Sequence, residues 1–156
     1  MPAMALRPGY TLRVARGDDY EPVAALLAEL GRPAVTPESA QDAHAVFRQQ
    51  VIDPRSHHTV GVDESGAVVA FCSLQFRTRL NWPTEEAWIP DLIVTERHRG
   101  RGLGRALLEE AERRAAERGC HYLTLESGHQ RAEAHELYRR FRMRDTGRQF
   151  GKRVAP

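Results

Sequence analysis

Arg99-Gly100-Arg101-Gly102-Leu103-Gly104 decides the fold, because this stretch joins a predicted strand to a predicted helix. The apolar run Leu92-Ile93-Val94 precedes it, and a helical spacing of apolar residues begins near Leu103. The first turn of a helix leaves backbone N–H groups without partners and carries partial positive charge. Glycine lets that backbone approach a ligand closely because it has no Cβ. The sequence therefore predicts a strand, a glycine turn and a helix that together form a phosphate-binding site.

Arginines surround this turn, and three of them add full positive charge: Arg99, Arg101 and Arg105. Two better-known phosphate loops are excluded. A P-loop requires a lysine after its last glycine, and a dinucleotide fingerprint requires a glycine where Leu107 stands. The alternative interpretation is that the glycines merely end a strand and open a solvated helix. The alternation of three glycines between arginines favours the phosphate site.

Length and composition predict one ordinary globular domain over residues 1–156. No apolar run approaches the roughly 20 residues that a membrane helix needs, so we expect no membrane partner. The N-terminal residues lack the apolar core of a secretory signal, so we expect a cytoplasmic protein with both cysteines reduced. The net charge is only +2, and glutamates alternate with arginines along the chain. This mixture is typical of solvated helix faces, so we expect no nucleic-acid partner.

Periodicity predicts the order β-α-α-β-β-β-α-β-α-β. The predicted strands are 11–15, 59–62, 67–77, 87–94 and 121–126, with one or two edge strands in the tail from 143 to 154. The predicted helices begin at Asp18 or Asp19, at 36, at 103 and at 131, and they end near 30, 52, 118 and 140. A single mixed sheet with helices on both faces accommodates this order. The unit from 88 to 126 predicts a crossover between parallel strands.

Pro90 interrupts the strand that leads into the glycine turn. Because proline cannot donate to a ladder, we expect a break there and a strand that splays from its neighbour. A splayed strand leaves N–H groups at Leu92, Ile93 and Val94 free for an amide-bearing ligand to pair with. A free N–H of this kind can also stabilise an oxyanion. The alternative is an ordinary bulge at a sheet edge.

The stretch from Asp91 to Leu108 resembles the GNAT superfamily of N-acetyltransferases. That family's motif is Gln or Arg, two residues, Gly, one residue, then Gly or Ala, and here it is represented by Arg99, Gly102 and Gly104. The segment from Ala134 to Tyr138 is similar to the helix after the family's fifth strand. The resemblance implies an α/β (α+β) fold with a single mixed, mostly antiparallel sheet and a splayed central strand pair. It also implies acetyl-CoA as donor and a primary amine as acceptor.

The resemblance further implies which residues contact the donor. The glycine turn would hold the CoA pyrophosphate, and the strand before it would hold the pantetheine arm and the thioester carbonyl. The implied residues are Leu92, Ile93, Val94, Arg99, Gly100, Arg101, Gly102, Leu103, Gly104 and Arg105. Arg131 replaces an asparagine that is frequent in the family, and we expect it to reach a phosphate or the pantetheine. Arg142-Met143 replaces a frequent Gly-Phe, which puts the turn after the last helix in doubt.

The proton-transfer groups are less clearly indicated. Tyr138 has the position of a tyrosine that resembles a general acid for the leaving thiolate. The candidate bases are Glu86 and Asp91, which regular alternation would put on opposite faces unless the break at Pro90 undoes it. Glu126 and His129 are further options. The chain has no His-Glu-x-x-His or Cys-x-x-Cys pattern, so we expect no metal.

Two functions remain open from the residues. The first is acetyl transfer by direct attack of an amine on the thioester in a ternary complex. The second is a non-catalytic CoA-binding module that acts as a sensor or scaffold. The acceptor would be a small-molecule or peptide amine, and its pocket would come from the regions 30–52 and 77–86. A homodimer is a further expectation.

Overall fold

The structure, a computed structural model, describes residues 6–154, which contain seven strands, four α-helices and two short 3-10 helices. The strands are β1 (Thr11–Val14), β2 (Thr59–Val62), β3 (Val68–Cys72), β4 (Gln75–Arg77), β5 (Glu86–Ile89), β6 (Leu92–Val94) and β7 (Tyr122–Leu125). The helices are α1 (Tyr20–Glu29), α2 (Ala40–Gln50), α3 (Leu103–Arg118) and α4 (Ala132–Arg140). The chain divides after Leu125 into two compact units, and α4 belongs to the second. No helix of the described residues is both long and apolar enough to pass through a bilayer.

The strands of the first unit form two hydrogen-bonded sheets. The four-stranded sheet has the order β1-β2-β3-β6, and its pairs are antiparallel. The three-stranded sheet has the order β4-β5-β7, in which β5 and β7 are parallel. The mixed, mostly antiparallel α/β fold is therefore confirmed, as is the parallel crossover through α3. In place of the predicted single sheet, the strands form two sheets, which separate at the splayed strand.

Pro90 and Asp91 separate the two halves of that splayed strand. Before them, β5 pairs with β7, whereas after them β6 leaves β7 and pairs with β3. β6 thus ends the four-stranded sheet with one long side free of strand partners among residues 6–154. The predicted break at Pro90 is confirmed, and it leaves one side of β6 without a strand partner among residues 6–154.

Helices cover both faces of the four-stranded sheet. On one face, Phe71 and its cross-strand neighbours pack against α1 in a core of Ala15, Val23, Leu26, Leu30, Val60, Val62, Phe71 and Ile93. On the other face, α3 approaches at Gly61, where an added Cβ would lie 2.9 Å from Cδ2 of Leu103. Gly61 therefore permits the close packing of α3, whose Leu107 and Leu108 are fully buried.

Three predicted elements differ from the structure. The strand predicted for 67–77 breaks at Ser73 and Leu74, and its two halves join different sheets. The second helix starts at Ala40 rather than near Thr36, because Thr36 and Ser39 hydrogen-bond each other's backbone in a separate turn. The predicted tail strands are wrong for the described residues, since 143–154 contains no strand. There the Asp145 carboxylate accepts the N–H of Gly147 at 3.4 Å, which favours a local turn over a ladder.

Candidate active site

The glycine turn before α3 has the backbone geometry that only glycine adopts easily. Gly100 has φ 70° and Gly102 has φ 89°, both in the left-handed region. Gly102 is the N-cap of α3 and provides no side chain to cap the helix. Gly104 lies in the first turn of the helix and is half-buried. The turn is therefore built from backbone conformations that glycine adopts easily, and Gly102 itself is buried.

The N–H groups of this turn are open. Within residues 6–154, the N–H groups of Gly100, Arg101, Gly102, Leu103 and Gly104 form no hydrogen bond. The first backbone bond of α3 runs from Ala106 N–H to Gly102 O at 3.0 Å. No acidic side chain lies in the first helical turn. The positive end of a 16-residue helix thus lies at a turn whose N–H groups form no hydrogen bond within the described residues, a combination that favours an anion.

The flanking arginines bond to the protein itself. Arg99 donates from Nε to the carbonyl of Val94 at 3.0 Å, and its Nη2 lies 3.7 Å from Glu29 Oε1. Arg105 donates from Nε to Glu109 at 2.8 Å along the helix. These arginines keep their charge near the turn, but their orientation is set by internal partners. Glu29 and Glu109 compensate the charges of these two arginines, and their role toward a phosphate stays a prediction.

Arg101 is held by a residue that the sequence did not indicate. Its Nη1 donates to the hydroxyl of Tyr10 at 2.7 Å, and the same hydroxyl lies 2.7 Å from Nδ1 of His98. The backbone carbonyl of Arg101 accepts the N–H of Arg7 at 3.1 Å. Tyr10 lies just before β1, with no motif around it, so no local pattern could have linked it to the turn.

β6 presents two open N–H groups rather than three. The ladder bonds on either side of the β3–β6 pairing are 2.9 Å long and join Thr95 to Val69 and Ser73 to Asp91. Antiparallel alternation then directs the N–H of Ile93 toward β3, and those of Leu92 and Val94 away from it. The expectation of an exposed Ile93 N–H is therefore wrong. The N–H groups of Leu92 and Val94 form no hydrogen bond among the described residues and lie on the unpaired side of β6.

Glu86 is a buried carboxylate between two arginines. It is 7% exposed. Arg77 donates from Nε to its Oε2 at 2.8 Å, and Arg79 Nη1 lies 3.4 Å from the same oxygen. The Arg77 guanidinium also stacks over the ring of Trp88 at 4.7 Å. Two arginines thus compensate the charge of Glu86, the first candidate base, at the start of β5.

Asp91 lies in the break itself, directly before Leu92. Its Oδ1 accepts from Nε of Arg32 at 2.8 Å, and its Oδ2 lies 3.2 Å from the hydroxyl of Ser73. Its own N–H donates to that hydroxyl at 2.8 Å. The second candidate base therefore lies beside the open N–H of β6.

The break brings Glu86 and Asp91 to the same side. Phe76 of β4 packs its ring under Arg118 of α3 at 4.3 Å, so the Arg77–Glu86 pair, one residue along, faces away from α3. Asp91 bonds Arg32, which follows α1 on that same opposite face. The bulge at Pro90 therefore does reverse the alternation, and both carboxylates lie on the α1 face of the sheet.

Buried titratable groups near the break have shifted pKa values. Burial lowers the pKa of His58 from 6.5 to about 4, so this 3% exposed imidazole is neutral at pH 7. Burial also raises the pKa of the Cys72 thiol to about 12, which makes it a poor nucleophile. Among the described residues, no three or more His, Cys, Asp or Glu side chains are grouped as a metal site would require.

The second unit carries the remaining candidates. Tyr138 is half-buried on α4, and Arg131 is the N-cap residue of that helix. Glu126 and His129 are exposed in the segment before α4. After the helix, Arg142 has φ 64°, and the bonds Met143 N–H to Tyr138 O and Arg142 N–H to Arg139 O are both 2.9 Å long. Arg142 therefore makes the left-handed helix end that glycine usually provides.

Comparison with known proteins shows the fold and the family. Over 136 residues, the chain is 31% identical to an aminoalkylphosphonate N-acetyltransferase of Salmonella typhimurium, covering 85% of this chain and 84% of that one. The fold is similar to glucosamine-6-phosphate N-acetyltransferase from Arabidopsis thaliana, with TM-score 0.79, 20% identity, and coverage of 94% and 99%.

It is also similar to AAC(6')-Iy in complex with the bisubstrate analog CoA-S-monomethyl-acetylneamine, with TM-score 0.75 and 14% identity, over 94% of this chain and 99% of that one. A family model described as the acetyltransferase (GNAT) family matches residues 23–142. The chain therefore belongs to the acetyltransferase (GNAT) family.

Proposed function

We propose that this protein transfers the acetyl group of acetyl-CoA to a primary amine by direct attack in a ternary complex. The observation that carries the proposal is the pair of open backbone donor sets, one at the start of α3 and one along β6. The N–H groups of Gly100 to Gly104 suit the pyrophosphate of CoA. The N–H groups of Leu92 and Val94 suit the amide-bearing pantetheine arm, which would add to the edge of β6.

The reaction requires a hydrogen-bond donor that stabilises the oxyanion, and it requires two proton transfers. The amine nitrogen forms a bond to the acetyl carbon while the bond from that carbon to sulfur breaks. We assign the Leu92 N–H to the developing oxyanion. The proton lost by the amine passes to a carboxylate, and Tyr138 gives a proton to the departing thiolate. Asp91 adjoins Leu92, whereas Glu86 is six residues earlier, up to about 20 Å along an extended strand. This favours Asp91 as the base that acts near the thioester.

The remaining assignments are part of the same proposal. The acceptor is a small-molecule amine, as the name of the aminoalkylphosphonate enzyme states for that relative. Arg131 contacts the donor. A cytoplasmic location is supported by Cys72 and Cys120, which are both free thiols. A single domain, a homodimer and the lack of nucleic-acid partners stay predictions.

Thiol release measured with acetyl-CoA and a panel of amines tests the activity. We expect release with at least one amine class. Tyr138→Phe should lower kcat by up to about a hundredfold with little change in the Kd of CoA. Tyr122→Phe, which alters an exposed tyrosine of β7, is the matched control. Asp91→Asn and Glu86→Gln compare the two bases. Tight CoA binding without thiol release from any amine would instead favour the non-catalytic module.

A further inference from the structure

Arg32 is placed by the end of α1. Gly31 adopts φ 89°, and the bonds Gly31 N–H to Ala28 O and Arg32 N–H to Leu27 O are both 3.0 Å long. This pair of bonds is the Schellman arrangement, which closes a helix in one defined geometry. The backbone of Arg32 is therefore fixed by the helix end rather than by a flexible loop.

The guanidinium of Arg32 is anchored along one edge. Its Nε donates to Asp91 Oδ1 at 2.8 Å, and its Nη2 donates to the carbonyl of Pro90 at 2.7 Å. Nη1 has no acceptor among residues 6–154, and the side chain is 47% exposed. A guanidinium is planar and has five N–H donors. Anchoring through Nε and Nη2 leaves the edge formed by Nη1 and the second Nη2 hydrogen facing outward.

That free edge lies beside the place where acetyl transfer would occur. Arg32 is anchored on Pro90 and Asp91, the two residues directly before Leu92. The N–H of Leu92 lies on the unpaired side of β6. Arg32 lies on the α1 face of the sheet, together with the Arg77–Glu86 pair. An amine that reaches a thioester at Leu92 from this face passes the Arg32 guanidinium.

The ion pairs of this face lie at two separate places. Arg77 and Arg79 pair with Glu86 at the start of β5, and Arg32 pairs with Asp91 at the break. Arg77 and Arg79 both point to Glu86 and share one of its oxygens. Arg32 is the arginine of this set that bonds the two residues directly before Leu92.

We propose that Arg32 binds an anionic group of the acceptor, so that the preferred acceptors are small amines carrying a carboxylate, phosphonate or phosphate a few bonds from the nitrogen. This inference rests on the proposed acetyl transfer. Two parallel N–H donors on one edge match two oxygens of such an anion, and charge-assisted pairs of this kind are among the stronger hydrogen bonds. Arg32 acts here as a specificity-determining residue, while attack and proton transfer belong to other groups.

Steady-state kinetics on the full chain with three amines of similar length test this. The amines are 2-aminoethylphosphonate, β-alanine and propylamine, each with saturating acetyl-CoA. For the wild type, we expect kcat/KM for the better anionic amine to exceed that for propylamine at least about tenfold. Arg32→Gln should raise KM for the anionic amines at least about tenfold and change KM for propylamine less than about twofold. Comparison of the two anions distinguishes a carboxylate site from a phosphonate site.

Two further variants separate charge recognition from structural damage. Arg32→Lys keeps the positive charge but loses the two parallel N–H donors. Compared with Arg32→Gln, it should recover part of the preference for anionic amines. Arg55→Gln removes another exposed arginine, one that lies 3.6 Å from the carboxylate of Asp53, and should leave all three KM values unchanged. Equal losses for charged and neutral amines in Arg32→Gln, or a wild type that prefers propylamine, would overturn the inference alone. No thiol release from any amine would remove the proposed function as well.

Discussion

The hydroxyl of Tyr10 accepts a hydrogen bond from Nη1 of Arg101 at 2.7 Å, although the two residues are 91 positions apart. The same hydroxyl lies 2.7 Å from Nδ1 of His98, so it forms a second hydrogen bond with that ring. Tyr10 thus links the segment before β1 to the turn at the start of α3.

Tyr10→Phe tests whether this link positions the donor turn. Loss of the hydroxyl removes the acceptor that orients Arg101, and we expect the Kd of CoA to rise about threefold to tenfold. The turnover number with saturating acetyl-CoA should stay unchanged, because the hydroxyl has no role in the transfer itself. Isothermal titration with CoA gives the Kd. Tyr122→Phe should alter neither quantity, and an unchanged Kd in Tyr10→Phe would show that the backbone alone sets the turn.

Gly104→Ala separates ligand access from folding. Gly104 has ordinary helical geometry within α3, so alanine should leave the free energy of unfolding unchanged or raise it by up to about 1 kcal/mol. The new methyl group lies where the phosphate would approach, and we expect the Kd of CoA to rise at least about tenfold. Urea unfolding and CoA titration measure the two effects on the same sample.

Gly66→Ala is the opposite control for that experiment. Gly66 has φ 83° in the hairpin between β2 and β3, with open space around it. Alanine there should cost about 1–2 kcal/mol of stability through backbone strain and leave CoA binding unchanged. If Gly104→Ala bound CoA normally, the assignment of the pyrophosphate to this turn would have to be abandoned.

Arg142→Gly should stabilise the chain. Arg142 is the non-glycine residue with positive φ among the described residues, at 64°, and it closes α4. Glycine relieves the left-handed strain while keeping both closing bonds, for an expected gain of about 1 kcal/mol in urea unfolding. Arg139→Gly, inside the last turn of the same helix, should instead lose about 1 kcal/mol. Equal effects of the two changes would contradict this account of the helix end.

His58 predicts acid sensitivity of the fold. Its pKa is about 4 in the folded state and near 6.5 when exposed, because burial penalises the charged form. Between these values the unfolded chain binds the extra proton, so stability is full above pH 6.5 and falls as the pH drops toward 4. From pH 7 to 4.5, this group should remove about 2 kcal/mol from the free energy of unfolding.

A variant isolates that contribution. His58→Gln cannot take up the proton, so its stability should depend less steeply on pH between 7 and 4.5. His129→Gln, at an exposed histidine, should keep the wild-type slope. Urea unfolding at intervals of half a pH unit gives the slopes. The same slope in both variants would mean that other groups, such as the half-buried His57, cause the acid sensitivity.

Much of the fold was predictable because its signals are local. α3 runs from Leu103 to Arg118 as the apolar spacing and Gly119 predict, and Pro90 breaks its strand as a residue without an N–H must. The tail strands were not predictable, because a strand exists only where a partner edge accepts it. The split of 67–77 depends likewise on the N–H of Ser73, which donates to Asp91 from a distant segment.

The order of residues by itself determined the family, the glycine turn and the break before Leu92. The turn depends on the backbone freedom of glycine and the break on the missing N–H of proline, and both are properties of single residues. Tertiary structure decided which donors stay open. It directed the N–H of Ile93 toward β3 and the N–H of Leu92 away from β3, because the register of the β3–β6 pair sets which N–H groups form ladder hydrogen bonds. It brought Tyr10 to Arg101 and Arg32 to Asp91, because such contacts form only when distant segments pack together.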